Sequence, residues 1–103
     1  MTIRERTRDV MKTMLETFEE RGAVYKDDYV DFARLLTALY PGGPRIKNEM
    51  EWIKFDFLCR ILSKVTRFTS SGMTHQDSVH DIAVYAAMLE AALLEEKSGA
   101  AGV

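Results

Sequence analysis

Between Lys47 and Phe68, placed at helical steps of about 100°, the residues Trp52, Phe55, Phe57, Leu58, Cys59, Ile61, Leu62, Val65 and Phe68 cover well over half the circumference. A helix that apolar must be buried on two sides, either inside a helical bundle or between its own neighbours and a second subunit. A chain of 103 residues has few other helices to cover it. The expectation is one all-α, four-helix bundle-like domain over residues 1–97, dimeric, with a disordered tail over 98–103.

Punctuation divides the rest into helices, with no alternating run long enough for a sheet. The first stretch opens with Thr2 and Glu5 in capping-box spacing and carries Ile3, Val10, Met11, Met14, Leu15 and Phe18 on one stripe, with a stop expected near Gly22. Its charges oppose the helix dipole, Arg4, Arg6 and Arg8 at the positive end and Glu16, Glu19 and Glu20 near the negative end. Either a partner surface offsets this arrangement or solvent screens it. A short second helix, capped by Asp28 with Asp31, runs through Phe32, Leu35, Leu36 and Leu39 until Pro41-Gly42-Gly43-Pro44 ends it. The third stretch and a fourth, from Thr74 to Glu96, are joined by only Thr69 to Met73, which forces an antiparallel hairpin. Thr74 with Asp77 has the spacing of another capping box, and Val79, Ile82, Ala86, Leu89 and Leu93 read as the fourth helix's core stripe.

The charged residues that fall near these apolar faces carry the functional information. Lys54 and Glu51 lie inside the third helix's arc, where a charge must be paired, reach water at a helix end, or meet a ligand; a Glu51 to Lys54 ion pair is the structural alternative. Ser78, Asp81 and Tyr85 lie beside the fourth helix's stripe, and a hairpin pivoting near residue 71 sets Arg60, Lys64 and Arg67 against Asp77, Asp81 and Tyr85. The segment from Arg45 to Arg67 has six positive and three negative side chains, and that from Thr74 to Lys97 has five negative and one positive, so the two halves are complementary. Mutual pairing is one outcome. The other is a phosphate site, because helix N-terminal amides and convergent cations both attract anions.

Other chemistry finds little support. The net charge of −2 gives no global field for nucleic acid, and no apolar run approaches a membrane span or follows a signal-peptide pattern. The single cysteine, Cys59, forms no internal disulfide and reads as an inert core thiol in a reducing cytoplasm. His75 and His80 do not share a helix face, so joint metal binding is not expected; one reads as a helix-start residue and the other as a solvated side chain. No phosphate-binding Gly-rich loop, zinc motif or nucleophile elbow is present.

The segment Lys54-Phe55-Asp56-Phe57-Leu58-Cys59-Arg60, followed by Asp77-Ser78-Val79-His80-Asp81-Ile82-Ala83-Val84-Tyr85-Ala86, resembles the nucleotide modification associated domain 1 proteins, small helical proteins of phages and bacteria. Their Lys-x-Asp-x-x-x-Arg helix and Asp-Ser-x-x-Asp-hydrophobic-Ala-x-Tyr-Ala helix match these residues, and Tyr25 to Tyr29 looks like their upstream loop, so the resemblance spans residues 23–90. The last helix is also similar to the Glu-x-x-Asp helix of the all-alpha nucleoside triphosphate pyrophosphohydrolases, the MazG and dimeric dUTPase group. Asp81 matches their Asp, but Ser78 stands in place of their Glu, and Lys54, Asp56 and Arg60 stand where they have a carboxylate cluster. Cations in place of metal ligands favour binding without hydrolysis.

The resemblance implies a nucleotide-binding protein without a cofactor, serving nucleotide modification or sequestering a host immune signal. Its ligand would meet Tyr25, Lys54, Arg60, Lys64, Arg67, Asp77, Ser78, Asp81 and Tyr85, with Tyr25 or Trp52 stacking on a base. A pyrophosphohydrolase using Mg²⁺ on Asp56, Asp77 and Asp81 is one alternative. The other is a homodimeric structural or protein-binding module in which the polar cluster fixes helix register.

Overall fold

In the computed structural model, which describes residues 1–99, the chain forms four helices: α1 over Ile3–Tyr25, α2 over Asp28–Leu39, α3 over Glu49–Ser70 and α4 over Gln76–Lys97. The described residues are all-α and contain no strand, as the periodicity predicts. The expected tail lies outside the described residues from position 100 onward.

Local chemistry sets the helix ends. At α1 the capping box forms: Thr2 Oγ1 accepts from the Glu5 amide at 3.1 Å, and the Glu5 carboxylate accepts from the Thr2 amide at 2.8 Å. Gly22 does not stop this helix. The chain continues to Tyr25, and Lys26, at φ 52°, closes it with a 3.0 Å bond from its amide to the Gly22 carbonyl. Asp27, not Asp28, precedes α2, and no side-chain cap forms there; Asp27 accepts from the Tyr29 hydroxyl, and Asp28 turns towards Arg67 on α3. Asn48 caps α3 by accepting from the Glu51 amide at 2.9 Å. Gly72, at φ 74°, makes the reversal into α4. The expected Thr74 and Asp77 box is absent. Instead Ser71 Oγ accepts from the amides of Thr74 and His75, and His75 takes the cap position of α4.

The helix α3 is the hub, packing along α4 as an antiparallel hairpin, more briefly against α2, and barely touching α1. α3 is therefore contacted from two sides within one chain, but its apolar arc is only half-buried, with Trp52 57% exposed. The face that α4 turns to it differs from the expected stripe, however. Ser78, Ile82, Tyr85, Leu89, Ala92 and Glu96, spaced alternately by four and three, are the sheltered positions, while Val79 and Leu93 remain 48% and 39% exposed. The helix is rotated by roughly 60° from the purely apolar reading, which lets Glu96 meet Lys54 across the seam and buries Ser78 against His75 of its own helix start. Ser78, fully buried, lies 2.6 Å from His75 Nδ1, and Glu96 receives Lys54.

Few side chains are buried in this arrangement. Ala92 is the one buried hydrophobic residue among those described, with Thr66 and Ser78 as buried polar ones. The radius of gyration of 18.3 Å exceeds the roughly 13 Å expected of a compact chain of this length. Most of the difference is α1, whose apolar stripe stands in solvent.

The α3/α4 seam is tight at Ala92. Ala92→Leu should destabilise the fold by about 1–3 kcal/mol through overpacking, whereas Ala91→Leu, on the exposed side, should change stability by under about 0.5 kcal/mol. Urea titration followed by circular dichroism distinguishes the two.

Candidate functional site

Arg60, Lys64 and Arg67 recur at spacings of four and three, so α3 presents them on one side as a ladder of cations. Together with Cys59, Ser63 and Tyr85 they line a hollow of about 300 Å³ between α3 and α4. The walls contain no carboxylate. Each cation is paired with an acid that does not line the hollow: Asp56 accepts from Arg60 Nε at 2.8 Å, Asp81 lies 3.1 Å from Lys64 Nζ, and Asp28 lies 3.8 Å from Arg67 Nε.

These three pairs differ in what they contribute. The Arg60 and Asp56 side chains are both about half exposed, and water screens such a pair within one helix, so it contributes little to stability. The bond to Asp56, seconded by Tyr85, raises the Arg60 pKa, so the guanidinium stays charged throughout the accessible pH range. Its carbon stands 5.7 Å from the centre of the Tyr85 ring. Lys64 is more sheltered, at 19% side-chain exposure, and its link to Asp81 joins the two arms of the hairpin. Arg67 borders the hollow and also meets Asp28 on α2 and the Tyr25 ring, 5.0 Å away.

The structure thus gathers Arg60, Lys64, Arg67 and Tyr85 around one hollow, with Asp81 paired to Lys64. The remaining expected site residues lie elsewhere. Lys54 is bound by both Glu96 oxygens at 3.0 Å, beside a separate, apolar-walled hollow of about 350 Å³ that Phe55, Leu58 and Leu89 help to line. Glu51 is not its partner; that carboxylate accepts from the Lys47 amide at 2.6 Å. Asp77 does not face the cation ladder. It borders a third hollow, of about 530 Å³, with Lys26 and the α3/α4 turn. Ser78 is fully buried against His75 and so is closed to a ligand. The Tyr25 ring lies between Arg67 and His75, the latter edge-on at 5.7 Å, and Trp52, 57% exposed, meets Phe55 near the opposite end of α3.

Sequence reasoning missed Asp28 and Glu96 as partners, and Ser63 and Cys59 as wall residues. A signal for Glu96 was present: it continues the alternating spacing from Ser78 through Tyr85 and Ala92. Asp28 carried none, since its meeting with Arg67 depends on where the turn after α1 directs the chain. Among the described residues no group of three or more His, Cys, Asp and Glu side chains is close enough to hold a metal ion. No helix among them is long and apolar enough to cross a membrane. No protein-family model, curated protein or solved structure matches the chain.

Burial, and secondarily the Asp56 charge, push the Cys59 thiol above its usual pKa. A raised pKa leaves less thiolate at a given pH, so Cys59 should react with iodoacetamide more slowly than a free thiol at pH 8 and approach it only as pH rises further. Alkylation measured by mass spectrometry over pH 7 to 10 gives the curve; a rate at pH 8 above that of free cysteine would contradict the assigned environment.

Proposed function

We propose that this chain binds a small phosphate-bearing ligand, a nucleotide or a nucleotide-derived signal, in the hollow lined by Arg60, Lys64, Arg67 and Tyr85. The observation that carries the reading is the lining of the hollow: Arg60, Lys64 and Arg67 border it together with Tyr85, and no carboxylate does. An anion there would compete with Asp56, Asp81 and Asp28 for these three cations. Arginine suits the task, since its planar fork can bond two phosphate oxygens at once. Arg60 can exchange Asp56 for a ligand at little cost, because the pair it leaves is solvent-exposed. Tyr85 supplies an aromatic face beside the phosphate position for a base or sugar. The resemblance to the nucleotide modification associated domain 1 proteins points to the same chemistry. A sheltered lone thiol fits a reducing cytoplasmic setting.

A second reading has its own support. Lys54 to Glu96 and Lys64 to Asp81 both bridge α3 and α4, as expected if charge in the seam serves to fix helix register in a module that binds other proteins.

Thermal unfolding against nucleoside mono-, di-, tri- and cyclic phosphates separates the two. For ligand binding, at least one compound should raise the Tm, by an amount equivalent to about 2.7 kcal/mol at a hundred times its Kd. Arg60→Ala should weaken that ligand at least about tenfold while leaving the unliganded Tm nearly unchanged. If no phosphate compound shifts the wild-type Tm, while Lys64→Ala and Asp81→Ala each lower it, the charges are struts and the binding proposal fails.

A further inference from the structure

The stripe on α1 has no partner within the chain. Ile3, Met11, Met14 and Phe18 are 84%, 64%, 63% and 72% exposed, and Val10 and Leu15 are more than half exposed. Together these six side chains show on the order of 800 Å² of surface to water, one partner's share of a standard protein interface. The whole chain exposes 8118 Å², against about 5,900 Å² expected for a folded monomer of its mass.

Charge indicates what covers the stripe. The first half of α1 carries Arg4, Arg6, Arg8 and Lys12 against Glu5 and Asp9, and the second half carries Glu16, Glu19 and Glu20 against Arg21. Each half opposes the adjacent end of its own helix dipole, an arrangement unfavourable in an isolated helix. In a parallel pair like would face like. In an antiparallel pair the basic half of each helix lies along the acidic half of the other, and each dipole is also met head to tail.

We propose that α1 pairs antiparallel with α1 of a second copy of this chain, crossing near Met14. Val10 and Phe18 lie at about equal distances on either side of Met14, so Val10 of each copy comes level with the partner's Phe18. Arg8 and Glu19 share one flank of the stripe at similar distances from Met14. Arg8 therefore comes within a turn of the partner's Glu19, and the contact occurs twice by symmetry. This pairing is independent of the anion hollow, which lies on α3 and α4.

Sedimentation equilibrium of the full chain tests the proposal, with circular dichroism to confirm that each variant remains helical. The wild type should have twice the chain mass of 11.8 kDa, and Met14→Glu or Phe18→Glu should return it to the single-chain mass, the fold intact because both side chains are exposed. Arg8→Glu and Glu19→Arg should each weaken the dimer about tenfold, and an equimolar mixture of those two variants should recover it. A monomeric wild type overturns the proposal. So does a dimer indifferent to both Met14→Glu and Phe18→Glu, which places the contact elsewhere, or a mixture no tighter than its components, which rules out the antiparallel orientation.

Discussion

The structure depends on the seam between α3 and α4. It brings together two helices of 22 residues each through a reversal of five, a connection short enough to limit them to antiparallel neighbours. Within it, alternating spacings of four and three set Ile82, Leu89 and Ala92 against α3, while Ser78 and Glu96 enter the same line as polar members. Burying them is tolerable because each has a partner: His75 for the serine hydroxyl and Lys54 for the carboxylate. The seam in turn orients the cation ladder. Tyr85 and Asp81, held on the facing helix, meet Arg60 and Lys64 beside the hollow that these cations border.

The parts of the fold legible in the sequence were those governed by local physics. Helical periodicity, the Thr2 and Glu5 box, the Pro-Gly segment and the short third connection located all four helices, and hairpin geometry set Arg60, Lys64 and Arg67 as a group against Asp77, Asp81 and Tyr85, of which Lys64 with Asp81 forms an ion pair. What escaped were choices between nearly equal local options. Asp27 and Asp28 both suit a helix start, and local sequence does not show that Asp27 takes the cap position while Asp28 pairs with Arg67. On α4 the strictly apolar stripe and the stripe of Ser78, Tyr85 and Glu96 differ by a fraction of a turn. Counting hydrophobic residues selects the first; the folded chain takes the second, in which Glu96 meets Lys54. The candidate site was recoverable to the extent that it lay on one hairpin, whereas Lys54 and Asp77 belong to the ends of that hairpin and reach other hollows.

The same economy explains the long first helix. The hairpin and α2 contact α3 from two sides, which leaves α1 attached chiefly at its C-terminal end, where the Tyr25 ring meets Arg67 and His75. A 23-residue amphipathic helix held only at one end gains little from its own chain. Apolar surface of this size carries a free-energy cost in water at roughly 25 cal/mol per Å², and few buried residues elsewhere offset it. Association on this account adds stability to a hairpin that folds within one chain, and the cation-lined hollow is built on that hairpin.

The measurement that bears most directly on this is the urea midpoint of unfolding as a function of protein concentration. If burial of α1 against another copy supplies a substantial part of the stability, the midpoint rises steadily as concentration increases from nanomolar to tens of micromolar, as mass action requires. A midpoint constant over that range, with a single cooperative transition, would show that one chain stabilises itself unaided and would contradict the account.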